Sequence, residues 1–194
     1  MDRVDGLRPD LDLVASEPAE IPSKFIAQWK DAGERADSAA AMACLSEDVE
    51  LVSPLTAQFR FKGIEQMQDV IVSAFEVITG IKYHTDVGDG DTRALFYTAQ
   101  IRGIDFEEAQ LLRLDPEGRI RELTLFGRPL PALTAMMAGM GPRLIRRQGN
   151  ENLAPWMGAA VAPLSFLTKF GERRLVPLSD PNRNGGGSDR RSRT

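Results

Sequence analysis

His84 and Asp86 form the first pair in this sequence whose types and spacing can do chemistry. They stand two residues apart in IKYHTDV, and side chains along a strand alternate with period two, so both fall on one face. A neutral imidazole held by a carboxylate can act as a general base. Lys82 shares that face, which gives the pair a plainer reading as a solvated strand surface. The single cysteine, Cys44, lies in AAAMACL with no histidine near it in sequence. It reads as a small core residue rather than a nucleophile, and one cysteine excludes an internal disulfide. One histidine and scattered acids do not supply the clustered ligands of a transition-metal site, so neither a metal nor a cofactor is expected.

The chain that must position such groups has 194 residues, 42% of them hydrophobic and 27% charged. That length suits one domain with a substantial core plus an appendage. No apolar run approaches the roughly 20 residues that span a bilayer. The first 20 residues are acidic and lack a continuous apolar stretch, so they do not read as a secretory signal and a cytoplasmic address is expected. Residues 1–141 carry 14 basic and 24 acidic side chains, whereas residues 142–176 carry six basic and two acidic. The acidic body repels nucleic acid, and the basic end can meet an anionic surface.

The hydrophobic period sets the elements. Residues 1–20 hold two prolines and little periodicity and read as a mobile arm. Phe25, Ile26 and Trp29 recur at helical spacing, and Asp37 or Ser38 can cap a second, alanine-rich helix through Leu45. Alternation at Val49, Leu51 and Ser53 then predicts a short strand stopped by Pro54, and Phe59 and Phe61 predict another. Ile64, Met67, Val70, Ile71, Ala74, Phe75 and Ile78 predict a third helix ended by Gly80. Four strands, about 81–88, 92–102, 105–115 and 118–127, follow with the turn-rich connections GDGD, RGID and DPEG, so consecutive strands pair antiparallel. This order closes a curved sheet over helices and leaves a cone-shaped cavity between them.

The stretches LSEDVELVSP, FRFKGIEQMQDVI, YTAQIRGID and LLRLDPEGRIRELTLFGRPL resemble the SnoaL-like (polyketide cyclase, ketosteroid isomerase-like) branch of the nuclear transport factor 2-like superfamily. The resemblance covers slightly more than half the chain. It implies an α+β, cystatin-like fold, with a cone-shaped, curved, mixed or antiparallel sheet on three helices of the N-terminal half. The domain would run over 21–130, followed by a helical C-terminal extension at 131–176 and a disordered tail at 177–194.

The resemblance also supplies positions to test. The carboxylate base of ketosteroid isomerases corresponds to Ser53 here, their helix tyrosine to Trp29, and their strand carboxylic acid to Gln110. The Arg and Asp pair of limonene epoxide hydrolase-like enzymes falls on Gln100 and Arg102, and a further aspartate on Leu125. Neither inherited mechanism is therefore expected. The same matching turns Phe96, Thr98, Gln100 and Arg102 inward from one strand and Glu108, Gln110 and Leu112 inward from the next, with Gln100 opposite Glu108 and Thr98 opposite Gln110. The resulting cavity has apolar walls from Trp29, Phe75, Phe96 and Phe126 and a polar strip that includes an Arg102–Glu108 pair. Such a site orients a hydrophobic ligand bearing a carbonyl or hydroxyl; alternatively, that pair is a structural ion bridge at the cone mouth. The weak catalytic candidates are His84, Asp86, Arg102 and Glu108.

Beyond RPLP, the Met-rich run LPALTAMMAGM predicts a helix from near Pro131 that closes the open end of the cone. Leu153, Trp156, Met157, Ala160, Val161, Leu164, Leu167 and Phe170 predict another, kinked or broken at Pro163. That segment packs on its own domain, extends a dimer interface, or lies on a membrane surface; an apolar stripe is most often buried, which ranks the first two ahead. The resemblance implies homodimerisation. The leading functional expectation is a pocket protein for a small hydrophobic metabolite, acting as an isomerase, dehydratase, cyclase or hydrolase on polyketide-, steroid- or terpene-like substrates. The alternative is a non-catalytic ligand-binding or assembly module.

Overall fold

Ile26, Trp29, Ala32 and Gly33 are the buried face of the first helix, α1 (Lys24–Arg35), in the computed structural model, which describes residues 24–180. The expected N-terminal arm, and the tail beyond residue 180, lie outside the described residues. Asp37 caps α2 (Ser38–Met42), its carboxylate accepting from the Ala40 N–H at 2.9 Å, which satisfies one orphan donor of the first turn. There follow β1 (Leu45–Val52), the two-residue β2 (Phe61–Lys62), α3 (Gly63–Phe75), and a meander of β3 (Ile78–Asp89), β4 (Thr92–Ile101), β5 (Ile104–Leu114) and β6 (Ile120–Arg128). The chain closes with α4 (Leu130–Arg147), α5 (Ala154–Arg174) and a short 3-10 helix, Val176–Ser179.

The six strands form one sheet in the order β2-β1-β6-β5-β4-β3. Only the β1–β6 pairing is parallel, so the sheet is mixed, and the fold is the α+β class expected. Helices α1 and α3 cover its concave face, and a core including Ile26, Met67, Ile71, Leu95, Ile101 and Leu112 lies between.

Helix α2 ends at Met42, and Leu45, expected within it, opens β1 instead. Three further expectations about elements are corrected. Helix α3 ends at Phe75 rather than near Gly80: Ile78 pairs with Ile101 and opens β3, because the β-branched run Val77-Ile78-Thr79 suits a strand better than a last helical turn. Helix α5 runs unbroken through Pro163. Pro163 and Ala159 both lie on the solvent side, where water can satisfy the carbonyl that Pro163 leaves without a donor.

The third correction matters most for the site. On β4 the inward residues are Leu95, Tyr97, Ala99 and Ile101, all buried, while Phe96, Thr98 and Gln100 face away. The resemblance turned this strand by one residue, and a one-residue slip exchanges every side chain between faces. The observed pairs are therefore Tyr97 with Glu108, Leu95 with Gln110, Thr98 with Glu107 and Gln100 with Asp105. Arg102 and Gly103 occupy the two-residue hairpin between Ile101 and Ile104, with φ of 51° and 71°. Both values suit a primed hairpin turn, whose twist matches the flanking strands.

Candidate functional site: a cavity closed by Glu108

The space between the helices and the concave sheet face is a cavity of about 360 Å³. Its wall is mainly apolar, with Leu51, Ile71, Phe75 and Leu123 from the cone and Met67, Met136, Met140 and Met157 set around it. Unbranched thioether side chains adapt to irregular ligands. Met136 and Met140 belong to α4 and Met157 to α5, so both C-terminal helices wall the cavity. Phe59 and Gln148, both exposed, lie at its rim.

The polar groups converge on two neighbouring side chains of β5. Trp29 Nε1–H donates to Gln110 Oε1 at 2.9 Å, and the Tyr83 hydroxyl donates to the same oxygen at 3.1 Å. Gln110 Nε2–H in turn donates to Glu108 Oε1 at 3.2 Å, where the Tyr97 hydroxyl also donates at 2.9 Å. Glu108 is 2% exposed, and its second oxygen, Oε2, has no hydrogen-bond partner among the described residues.

Burial pushes the Glu108 carboxyl up to about 7, against the lowering effect of the Gln110 and Tyr97 hydrogen bonds. Removing a carboxylate from water penalises its charged form, and two neutral donors do not repay that cost. Burial, reinforced by the negative Glu108, likewise raises both the Tyr83 and Tyr97 hydroxyls, so they remain proton donors throughout the working range. Two donors on Oε1 suit the carbonyl oxygen of a neutral acid, whose proton then sits on Oε2.

Local sequence explains how these groups meet. Gln110 and Glu108 share the inward face of β5 by strand alternation, and Tyr97 stands directly across the ladder from Glu108. Tyr83 points inward, opposite Tyr97, because the register of β3 shifts between Thr79 and Lys82; a second irregularity between Tyr83 and Thr85 leaves His84 as an extra residue on the outer surface. Gly33 leaves room for the Tyr83 ring: a Cβ there would lie 3.2 Å from its Cε2. The Tyr83 and Tyr97 rings meet edge-on with centroids 5.3 Å apart, a favoured aromatic geometry.

Of the residues singled out in the sequence, Trp29, Ser53, Phe75, Glu108 and Gln110 line the cavity. Ser53 is occupied, since its hydroxyl accepts from the Leu55 N–H at 3.2 Å in a turn. Leu125 lines the cavity and its neighbour Phe126 is 59% exposed on the other face. Leu112 is buried in the core rather than at the cavity wall. Phe96, Thr98 and Gln100 face outward, as the β4 register dictates.

The His84–Asp86 dyad does not form. His84 is exposed and its Nδ1 meets the Thr85 hydroxyl at 2.9 Å, while Asp86 binds Lys30 at 2.7 Å and Arg93. Burial alone would raise the Asp86 carboxyl, but hydrogen bonds and charge from Lys30 and Arg93 hold it below its ordinary value. The Arg102–Glu108 pair is also absent, because Arg102 lies in an exposed hairpin and Glu108 is bound by Tyr97 and Gln110. Cys44 is buried and burial raises its thiol to about 11, which disfavours the thiolate. No group of three metal-ligating side chains occurs among the described residues, and no helix among them is long and apolar enough to cross a membrane.

Tyr83 and Tyr97 are the site residues that sequence reading missed. For Tyr97 the signal was present, since the odd-numbered positions of β4 are the more apolar set. For Tyr83 the register shift between Thr79 and Lys82, which leaves no local signature, hid it.

No family model and no curated protein matches the sequence. Solved structures do. A bacterial protein from Silicibacter pomeroyi, described as having a cystatin-like fold, is similar at 22% identity with a TM-score of 0.60, over 64% of this chain and 87% of that one. A protein from Pseudomonas aeruginosa described as a steroid delta-isomerase is similar at 23% identity with a TM-score of 0.60, over 66% of this chain and 93% of that one. Together with the strand order and the helices laid across the concave face, these likenesses show that the chain has the cystatin-like α+β fold.

Proposed function

We propose that the cone takes up a small, largely apolar molecule bearing one carbonyl or hydroxyl, and that Glu108 gives a proton to that oxygen or takes one from the ligand. The observation that carries this reading is a buried carboxyl at the wall of an apolar cavity, one oxygen held by two donors and the other without a partner among the described residues, with burial pushing that carboxyl up to about 7. A group poised near neutrality is available in both protonation states, which is what acid–base catalysis requires. A neutral Glu108 donates from Oε2 to a ligand carbonyl and polarises it; in its ionised form the same oxygen takes a proton from the carbon beside that carbonyl and returns it, so the proton removed is the proton restored. Tyr97 and Gln110 hold Glu108 Oε1 in place, Trp29 and Tyr83 hold Gln110 through its own Oε1, and none of these four gives up a proton in this range. Isomerase- or cyclase-type proton transfer is the reaction class that fits, and one protein of this fold is described as a steroid delta-isomerase.

The second reading, ligand binding without turnover, is favoured by one fact. Besides the two tyrosines, Glu108 is the titratable side chain among the described residues that line the cavity, so no separate acid and base are paired among them. An enolisable aromatic ketone, 2-acetonaphthone, separates the two. Binding should raise thermal stability, by about 2.7 kcal/mol at a hundredfold excess over Kd. In D2O, proton-transfer chemistry should exchange the methyl hydrogens of the bound ketone, and Glu108→Gln should slow that exchange by roughly a hundredfold or more while binding persists. Binding without any exchange would support the non-catalytic reading. Absence of binding by this and other apolar ketones would sink both.

A further inference from the structure

The outer side of α5 is a continuous apolar stripe left in solvent. Trp156, Ala159, Pro163, Phe166, Leu167 and Phe170 recur at three- and four-residue intervals, and Trp156 and Phe166 are 75% and 70% exposed. From Ala154 to Thr168 the helix carries no charge. Its opposite side is already satisfied: Ala154 and Val161 are buried, and the Thr168 and Thr134 hydroxyls meet at 2.8 Å. The stripe therefore needs a different partner, since exposed apolar area of this extent marks an interaction surface.

A cleft between α4 and α5 runs along one edge of the stripe and contains Phe166. Arg102, Arg143, Arg146 and Lys169 line it, and no acidic residue among the described ones does. Arg143 is bound to Glu76 at 2.7 Å, but Arg102, Arg146 and Lys169 have no ion-pair partner among the described residues. The end of α5 adds Arg173 and Arg174. The hairpin that carries Arg102 belongs to the cone, so cations from three separate elements meet at this cleft.

We propose that this side of the molecule docks on an anionic lipid surface, with the α5 stripe in the interface and headgroup phosphates in the cleft of Arg102, Arg146 and Lys169. Charge complementarity selects that occupant. A helix lying in the plane of a bilayer presents apolar aromatic side chains to the acyl boundary and cations to the headgroups beside it. A second copy would cover the stripe equally well but would bring the same unpaired cations with it. The excess of acid in residues 1–141 turns the cone away from a negative surface and leaves α5 facing it. The proposal stands whatever the cavity binds.

The test uses the full chain with vesicles of phosphatidylcholine alone or with one third phosphatidylserine. The expected result is co-sedimentation with the anionic vesicles only, weakened by salt, and a blue shift of tryptophan emission that Trp156→Phe abolishes. Arg146→Gln with Lys169→Gln should weaken binding on the order of thirtyfold. Both side chains sit at the surface, and unchanged thermal unfolding would show that the variant folds. Equal binding to neutral vesicles, or binding to neither, overturns the proposal. So does a stable dimer that Trp156→Ser with Phe166→Ser dissociates while wild-type protein ignores vesicles, which would assign the stripe to a second copy.

Discussion

Replacing Glu108 by glutamine should make the protein more stable at alkaline pH and leave it nearly unchanged at acid pH. Glutamine keeps the oxygen that accepts from Tyr97 and Gln110 and removes the charge. In the wild type the carboxyl shifts from its ordinary value of 4.5 to about 7 on folding. Below 4.5 both the folded and unfolded states hold the proton, and the group exerts no pull on stability. Between 4.5 and 7 the unfolded chain has released it and the folded chain has not, so stability falls as pH rises. Above 7 the loss is complete. At about 1.4 kcal/mol per unit, the difference is about 3 kcal/mol. Urea unfolding at pH 5 and pH 8.5 measures it directly. The variant should exceed the wild type by about 1 kcal/mol or less at pH 5 and by about 3 kcal/mol at pH 8.5. Glu34, Glu50 and Asp86, whose carboxyls are held low in the folded state, lose their stabilisation only as pH falls toward acid, outside this window. Parallel pH curves for the two proteins would refute the reasoning, because some other group would then be responsible.

Tyr97→Phe removes a donor from Glu108 Oε1; it should raise the carboxyl midpoint further, seen by NMR, and cost about 1 kcal/mol of stability. His84→Ala should leave both ketone binding and stability within about 0.5 kcal/mol of wild type, since that side chain is outside the cavity. Asp86→Asn breaks a partly exposed bridge to Lys30 and Arg93 and should cost about 1 kcal/mol without altering calorimetrically measured ligand affinity. Gly127→Ala places a Cβ 2.7 Å from the Phe106 ring and 2.9 Å from Leu133, so it should lower stability by about 1–3 kcal/mol in thermal unfolding.

Most of the architecture was legible because the hydrophobic period changes sharply, from three or four residues in FIAQW and MQDVI to two along β5. The β5 face was read correctly for the same reason: Phe106, Glu108, Gln110, Leu112 and Leu114 all point inward. The β4 face was not, because positions carried over from the resemblance outweighed the strand's own alternation. The cost of that slip was a cavity furnished with Thr98 and Gln100 instead of Tyr97. His84 misled for a different reason, since an irregularity inside a strand suspends the period-two rule and leaves no signature in a single sequence. The raised carboxyl was beyond reach altogether. Glu108 could be named from alternation, but its loss of solvent depends on Tyr97, Gln110 and the helices above them, and packing of that kind has no local spelling.

The central claim is that Glu108 is a neutral acid in the empty cone and offers its proton to a ligand carbonyl. An NMR titration of side-chain-labelled glutamate, assigned with Glu108→Gln and run with and without 2-acetonaphthone, tests it most directly. The account predicts a midpoint near 7 in the free protein, moved higher by the ketone, because only the protonated form donates to it. A midpoint in the ordinary carboxylate range, or one that the bound ketone leaves unmoved, would contradict it.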